Sequence, residues 1–210
     1  MRMRSTCAMV LVALLGTWAH ADEWQPEPGF RSLFNGKDLT GWCFRAKVAR
    51  KSPAVGAVVE KFDGKTESSD DGRYSAKDGV LTVNFPKGKP RLAAQIDTVE
   101  EFPTDFVLKL EFRASVNADS GIFIRKPQLQ CRDYLVAGPY KDLKHYKPQE
   151  WNSIEITVKG NAARCLCNDE VIEAEFKVPA TGPIGLEGDR GQMEYRHIQI
   201  KTIEAGAAGK

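Results

Sequence analysis

The chain has 210 residues, 42% hydrophobic and 28% charged, with 18 Gly and 11 Pro. This is too apolar for intrinsic disorder and shows neither a collagen period nor a coiled-coil block, so the composition is that of one ordinary globular domain. The formal net charge of +2 gives no electrostatic case for nucleic acid or an anionic membrane as partner.

Residues 1–21 read as a signal peptide. Arg2 and Arg4 form a basic start, an apolar stretch runs from Cys7 to Leu15, and Ala19-His20-Ala21 offers small residues at the two positions a signal peptidase needs. The apolar run is too short to span a hydrocarbon core of about 30 Å, and no lipobox precedes Cys7. Arg2 and Arg4 account for the whole excess charge, so the mature chain is formally neutral, with 28 Asp and Glu balancing its Lys and Arg. The expectation is export to the periplasm or the extracellular space. Four cysteines remain, Cys43, Cys131, Cys165 and Cys167. They allow three connectivities, and free buried thiols or one disulfide are both open. Cys165 and Cys167 share one strand face and are poorly placed to bridge each other. His145 and His197 lack ligand spacing to this pair, which argues against structural zinc.

Helical periodicity is almost absent. Short alternating runs recur, split by Gly, Pro, Asn and Asp. Residues 44–73, rich in Lys, Asp, Gly and Ser around the apolar Val55–Val59, read as a long loop excursion, either a lid or a disordered surface loop. Tyr74–Val83 reads as two strands around Lys77-Asp78-Gly79, and Arg91–Thr98 as another. Asp105–Ser115 is the clearest strand, with Phe106, Leu108, Leu110 and Phe112 on one face and Val107, Lys109, Glu111 and Arg113 on the other. Gly121–Arg125, Gln128–Tyr134, Trp151–Lys159, Ala162–Cys167 and Val171–Phe176 follow, with a hairpin turn at Asn168-Asp169. Pro183–Glu187 and Met193–Ile203 close a single all-β domain over 22–204, and 205–210 is a flexible tail. Such a series of antiparallel strands folds as a sandwich or a barrel.

No nucleophile elbow, dinucleotide fingerprint or phosphate loop is present. With so few histidines, acid-base work falls to carboxylates. Two clusters stand out. The outward positions Arg113, Arg125, Gln128, Gln130 and Arg132 concentrate planar hydrogen-bonding forks, which with aromatics such as Tyr134, Tyr140 and Trp42 suit sugar hydroxyls. Asp119 and Ser120 lie in the turn feeding Gly121. The second cluster is Gly182–Gly191, in which Glu187 points outward from an apolar strand and Asp189 and Arg190 follow on a Gly-flanked loop. A plain solvated face and a plain turn are the competing readings of these clusters.

Several segments carry a resemblance. Phe30–Trp42 (FRSLFNGKDLTGW), Lys77–Leu81 (KDGVL), Asp119–Arg125 (DSGIFIR), Trp151-Asn152, Gly182–Gly191 and Tyr195–Ile200 are similar, in this order, to segments of the 3-keto-disaccharide hydrolase domain family. The resemblance covers roughly residues 30–203. It implies a concanavalin A-like antiparallel β-sandwich, or jelly roll, with a concave sheet that binds carbohydrate. It also implies cleavage or hydration of 3-keto-glycosides. A ketone at C3 acidifies the C2 hydrogen; a base removes it and the C1 substituent leaves. Many relatives carry "E-x-Q" where this chain has Gln128-Leu129-Gln130, and "GLQDHG" where it has Gly185-Leu186-Glu187-Gly188-Asp189-Arg190-Gly191. The expected catalytic carboxylate is therefore Glu187, with Asp189 and Asp133 behind it. Arg125, Gln128, Gln130, Arg113, Tyr134 and Arg190 are expected to bind substrate. No cofactor is fixed by these residues, and a divalent cation is left open. The alternative is a non-catalytic carbohydrate-binding module of lectin or laminin-G type.

Overall fold

The computed structural model describes residues 24–48, 54–85, 94–133 and 139–203. In chain order these form β1 (Arg31–Ser32), β2 (Trp42–Arg45), β3 (Val58–Lys61), β4 (Tyr74–Lys77), β5 (Val80–Val83), β6 (Ala94–Thr98), β7 (Phe106–Ala114), β8 (Asp119–Ile124), β9 (Gln128–Arg132), β10 (Asn152–Lys159), β11 (Ala162–Cys167), β12 (Glu170–Lys177), β13 (Ile184–Gly188) and β14 (Met193–Thr202), with one 3-10 turn at Pro139–Asp142. The expected signal peptide and tail lie outside the described residues.

Two antiparallel sheets enclose the core. One runs β12-β11-β10-β7-β14-β5-β4, with β1 also pairing β14; the other runs β3-β2-β6-β13-β8-β9. This is the sandwich that the strand pattern predicts. Period-two patterning explains why it closes. Along β7, Phe106, Leu108, Leu110 and Phe112 are buried while Val107, Lys109, Glu111 and Arg113 are partly exposed. The inner residues of the second sheet, including Ile96, Ile122, Ile124, Leu129, Ile184 and Leu186, are also buried. Leu110 is packed in this core, so Leu110→Ala is expected to cost roughly 2–5 kcal/mol, read from the urea midpoint; a loss below about 1 kcal/mol would contradict its place there.

Turn chemistry sets the register of two hairpins. Asp78 (φ 49°) and Gly79 (φ 81°) join β4 to β5, and Asn168 (φ 46°) and Asp169 (φ 68°) join β11 to β12. Both pairs are left-handed, as tight two-residue hairpins demand. Within 44–73 the chain differs from the loop expectation. Residues Val58–Lys61 form β3, an edge strand paired with β2, and Phe62 after it is buried. The four cysteines are free and buried. Burial pushes the Cys165 and Cys167 thiols up to about 12. Among the described residues no helix is long and apolar enough to cross a membrane.

Candidate active site on the six-stranded sheet

Strand pairing lays the outward side chains of the six-stranded sheet in rows. Asp97 pairs with Gly185, Gly185 with Phe123, and Phe123 with Gln128. In neighbouring rows Gln95 pairs with Glu187, Gly121 with Gln130, and Asp119 with Arg132. The apolar partners Ile96, Ile122, Leu129 and Leu186 alternate inward and fix this face outward.

A hydrogen-bonded chain crosses the face. Arg190 lies 3.5 Å from Asp119. Arg132 Nε donates to Asp119 Oδ1 at 2.7 Å and to Gln130 Oε1 at 2.9 Å. Gln130 Nε2 donates to Gln128 Oε1 at 2.9 Å, and Gln128 Nε2 donates to Glu187 Oε2. Donors and acceptors alternate along the series, so each amide orientation is fixed by its neighbours. Glycine makes the last link possible: a Cβ on Gly121 would lie 2.3 Å from Gln128 Cγ. The Glu187 backbone is held from the core side, where its carbonyl accepts from Ser120 Oγ and, at 3.5 Å, from the Tyr195 hydroxyl. Tyrosines hold β9 similarly. Tyr140 donates to the Gln130 carbonyl at 2.6 Å and Tyr146 to the Arg132 carbonyl at 2.9 Å.

A second carboxyl, absent from the sequence reading, shares this face. Asp97 is 5% exposed. Gln95 Nε2 donates to its Oδ1 at 2.5 Å. A Cβ on Gly185 would lie 2.6 Å from that oxygen. Burial pushes the Asp97 carboxyl up to about 6, against the pull of Gln95 and Arg45. The folded chain thus holds a proton that the unfolded chain has already released near pH 4. Stability contributed at acid pH is therefore lost as pH rises from about 4 to about 6. Asp97→Asn is expected to remove this slope and to be about 1–3 kcal/mol more stable than wild type at pH 7. Urea unfolding of both proteins at pH 4.5 and 7 measures it, and parallel pH dependences would refute it.

Other expected site residues lie elsewhere. Arg125 is not near Gln130. The chain leaves β8 after Ile124, Arg125 takes a left-handed φ of 57°, and its guanidinium is buried against backbone carbonyls and the Phe106 ring. Arg113 has the expected outward parity but on the other sheet, where it pairs with Glu194 and packs on Trp151. Asp133 follows the last residue of β9, is 4% exposed, and accepts from Tyr146 and Gln149. Trp42 and Tyr140 are core side chains. Asp119 and Ser120 are in β8 rather than in a turn. Asp189 lies half-buried past the end of β13. Tyr134 lies outside the described residues. Among the described residues no group of three or more His, Cys, Asp or Glu side chains could hold a metal ion.

The sequence profile of the 3-keto-alpha-glucoside-1,2-lyase-like domain matches residues 29–201. The chain belongs to this family. That places it among carbohydrate-active proteins. No curated protein sequence matches it. Among solved structures it is similar to a candidate glycosyl hydrolase from Parabacteroides distasonis, with 17% identity over 84% of this chain and 95% of that one and a TM-score of 0.60. A second candidate glycosyl hydrolase from the same organism gives 21%, 65%, 93% and 0.53. The Bacillus licheniformis beta-glucanase gives 10%, 83%, 97% and 0.53. These likenesses are of fold, a concanavalin A-like sandwich. The two positions at which the sequence departs from the segments it resembles, Gln128 and Glu187, are hydrogen-bonded to each other.

Proposed function

We propose that the protein cleaves 3-keto-glycosides by elimination across C1–C2, with Glu187 as the base. The observation that carries this reading is the Gln128–Glu187 hydrogen bond. The carboxylate missing at 128 has a counterpart at its partner position, so the exchange keeps one carboxylate and one amide in the same place. A carboxylate and arginines also converge here, through Asp119, Arg132 and Arg190, which favours chemistry over a dispersed hydroxyl-binding face.

The C3 ketone makes the C2 hydrogen acidic. Glu187 takes that proton, and the C2–H electron pair becomes the C1=C2 double bond. The C1–O bond breaks with its pair on oxygen, and Asp97 supplies the proton that oxygen needs. A carboxyl that retains its proton towards pH 6 is suited to the acid role, beside a hydrogen-bonded one suited to the base role. N–H groups of Arg132 not engaged with Asp119 and Gln130 polarise the ketone. Water adding across C1=C2 yields the free 3-keto sugar, so elimination followed by hydration equals hydrolysis. The protein does this outside the cytoplasm, after removal of residues 1–21.

The test uses a 3-keto-disaccharide and its unoxidised parent in deuterium oxide. Monosaccharide release from the keto form alone, with deuterium at C2 of the released 3-keto sugar, is the expected result. Release without C2 exchange would rule out elimination. Release from neither substrate would favour the carbohydrate-binding module.

A further inference from the structure

The opposite side of the sandwich carries a second built cluster that the reaction above does not use. It centres on a β-bulge in β14, where the register with β7 shifts between Arg196 and Gln199. His197 sits in the bulge with φ 54°, a left-handed conformation uncommon outside glycine. The extra residue turns two consecutive side chains, Arg196 and His197, towards one carboxylate. Arg196 Nε donates to Glu111 Oε2 at 2.5 Å, and His197 Nδ1 lies 3.1 Å from the same oxygen. Burial, with Arg196 adding to it, lowers the imidazole's proton affinity despite Glu111. The neutral ring directs its Nδ1–H at Glu111 and has Nε2 as an acceptor.

The segment leading into β1 crosses this face and supplies aromatic rings. Trp24 stacks on His197 with centroids 4.7 Å apart and planes within 12°. Phe30, six residues on, lies under the Lys109 ammonium at 5.2 Å. Glu27 between them fixes the segment: its backbone N–H donates to Gln199 Oε1 at 2.8 Å, and its carboxylate accepts from Lys109 at 2.7 Å. Trp24, Glu27, Lys109, Glu111, His197 and Gln199 help line a depression of about 330 Å³. A second, of about 630 Å³, adjoins it through Lys109 and Glu155 and reaches Phe30.

We propose that this trough is a second carbohydrate site, one that takes an extended, neutral oligosaccharide without cleaving it. Lys109 pairs with both Glu27 and Glu155, and Arg196 pairs with Glu111; with Asp169 and Lys201 also in the lining, these charges leave only a small net negative excess. That provides little net field for an anionic or cationic ligand, yet leaves many hydrogen-bonding groups beside two aromatic rings. Hydroxyl-rich neutral rings match this surface. Two joined depressions suit a chain rather than one ring.

This inference does not depend on the 3-keto chemistry, and its test uses sugars that lack the ketone. Cellotetraose and maltotetraose are titrated into the full-length mature protein and followed by calorimetry. At least one is expected to bind. Trp24→Ala, or His197→Asn, which keeps a residue that tolerates the left-handed backbone, is expected to weaken that binding about tenfold, the effect of a lost ring contact of roughly 1.4 kcal/mol. Weakening by either trough variant supports the proposal. Absence of binding by both sugars, or full affinity in both trough variants, would overturn it.

Discussion

Glu187→Gln is expected to lower turnover of a 3-keto-glycoside by about 10²-fold or more while binding changes little. The substitution is nearly isosteric. The backbone stays held by Ser120 and Tyr195, and the new amide oxygen can still accept from Gln128. What disappears is the basic oxygen that takes the C2 proton. Uniform binding terms are untouched, so the loss should appear in kcat and not in KM. Steady-state kinetics with a binding isotherm for the variant separates the two. The double variant Gln128→Glu/Glu187→Gln restores the arrangement common among relatives and should recover part of the rate. Near-wild-type turnover in the single variant would clear Glu187 and shift attention to Asp97 and Asp119.

Arg125→Met should destabilise the fold by about 3–5 kcal/mol. The guanidinium is 1% exposed. Nε donates to the Phe102 carbonyl at 2.7 Å, one terminal nitrogen to Thr104 at 2.6 Å, and the other to Gly160 at 3.0 Å and Pro179 at 2.9 Å. Three connections are thereby tied together at one end of the sandwich: β6–β7, β10–β11 and β12–β13. Methionine fills similar space yet leaves four carbonyls without this donor. Lysine, with a compact ammonium in place of the planar fork, should recover only a minor share. Urea unfolding gives the number, and a cost below about 1 kcal/mol would show that water or neighbouring donors replace the guanidinium.

What the sequence disclosed and what it concealed follow from the range of each signal. Alternation is local, so β7, β10 and β14 could be read directly, and the turns at Asp78-Gly79 and Asn168-Asp169 could be placed from residue type alone. The family segments were legible for the same reason. Strand β2 was not, because Trp42 and Cys43 are both buried and show no alternation. Parity gives a side chain's face but not its sheet. Arg113 and Gln130 share an outward parity within their strands and lie on opposite sides of the sandwich. Arg125 was misplaced because parity was carried one residue past the end of β8, where the backbone turns. Asp133 has the inward parity of β9 and is buried as that parity requires, so its residue type alone suggested a site role. Nothing local distinguishes Asp97 in the sequence; only the packing of neighbouring strands, brought together from distant parts of the chain, makes it a buried carboxyl.

The buried thiols have a consequence for how motions of this protein can be timed. Cys43, Cys131, Cys165 and Cys167 are each 0% exposed, so an alkylating reagent reaches them only when the structure opens. Cys165 and Cys167 lie in β11 of the larger sheet, while Cys43 pairs with Asp97 near the edge of the smaller one. Mass-resolved labelling therefore carries clocks on both layers. If all four cysteines react at one rate, opening is global and the sandwich behaves as a single cooperative unit. A faster Cys43 would time the detachment of β2 and β3 alone.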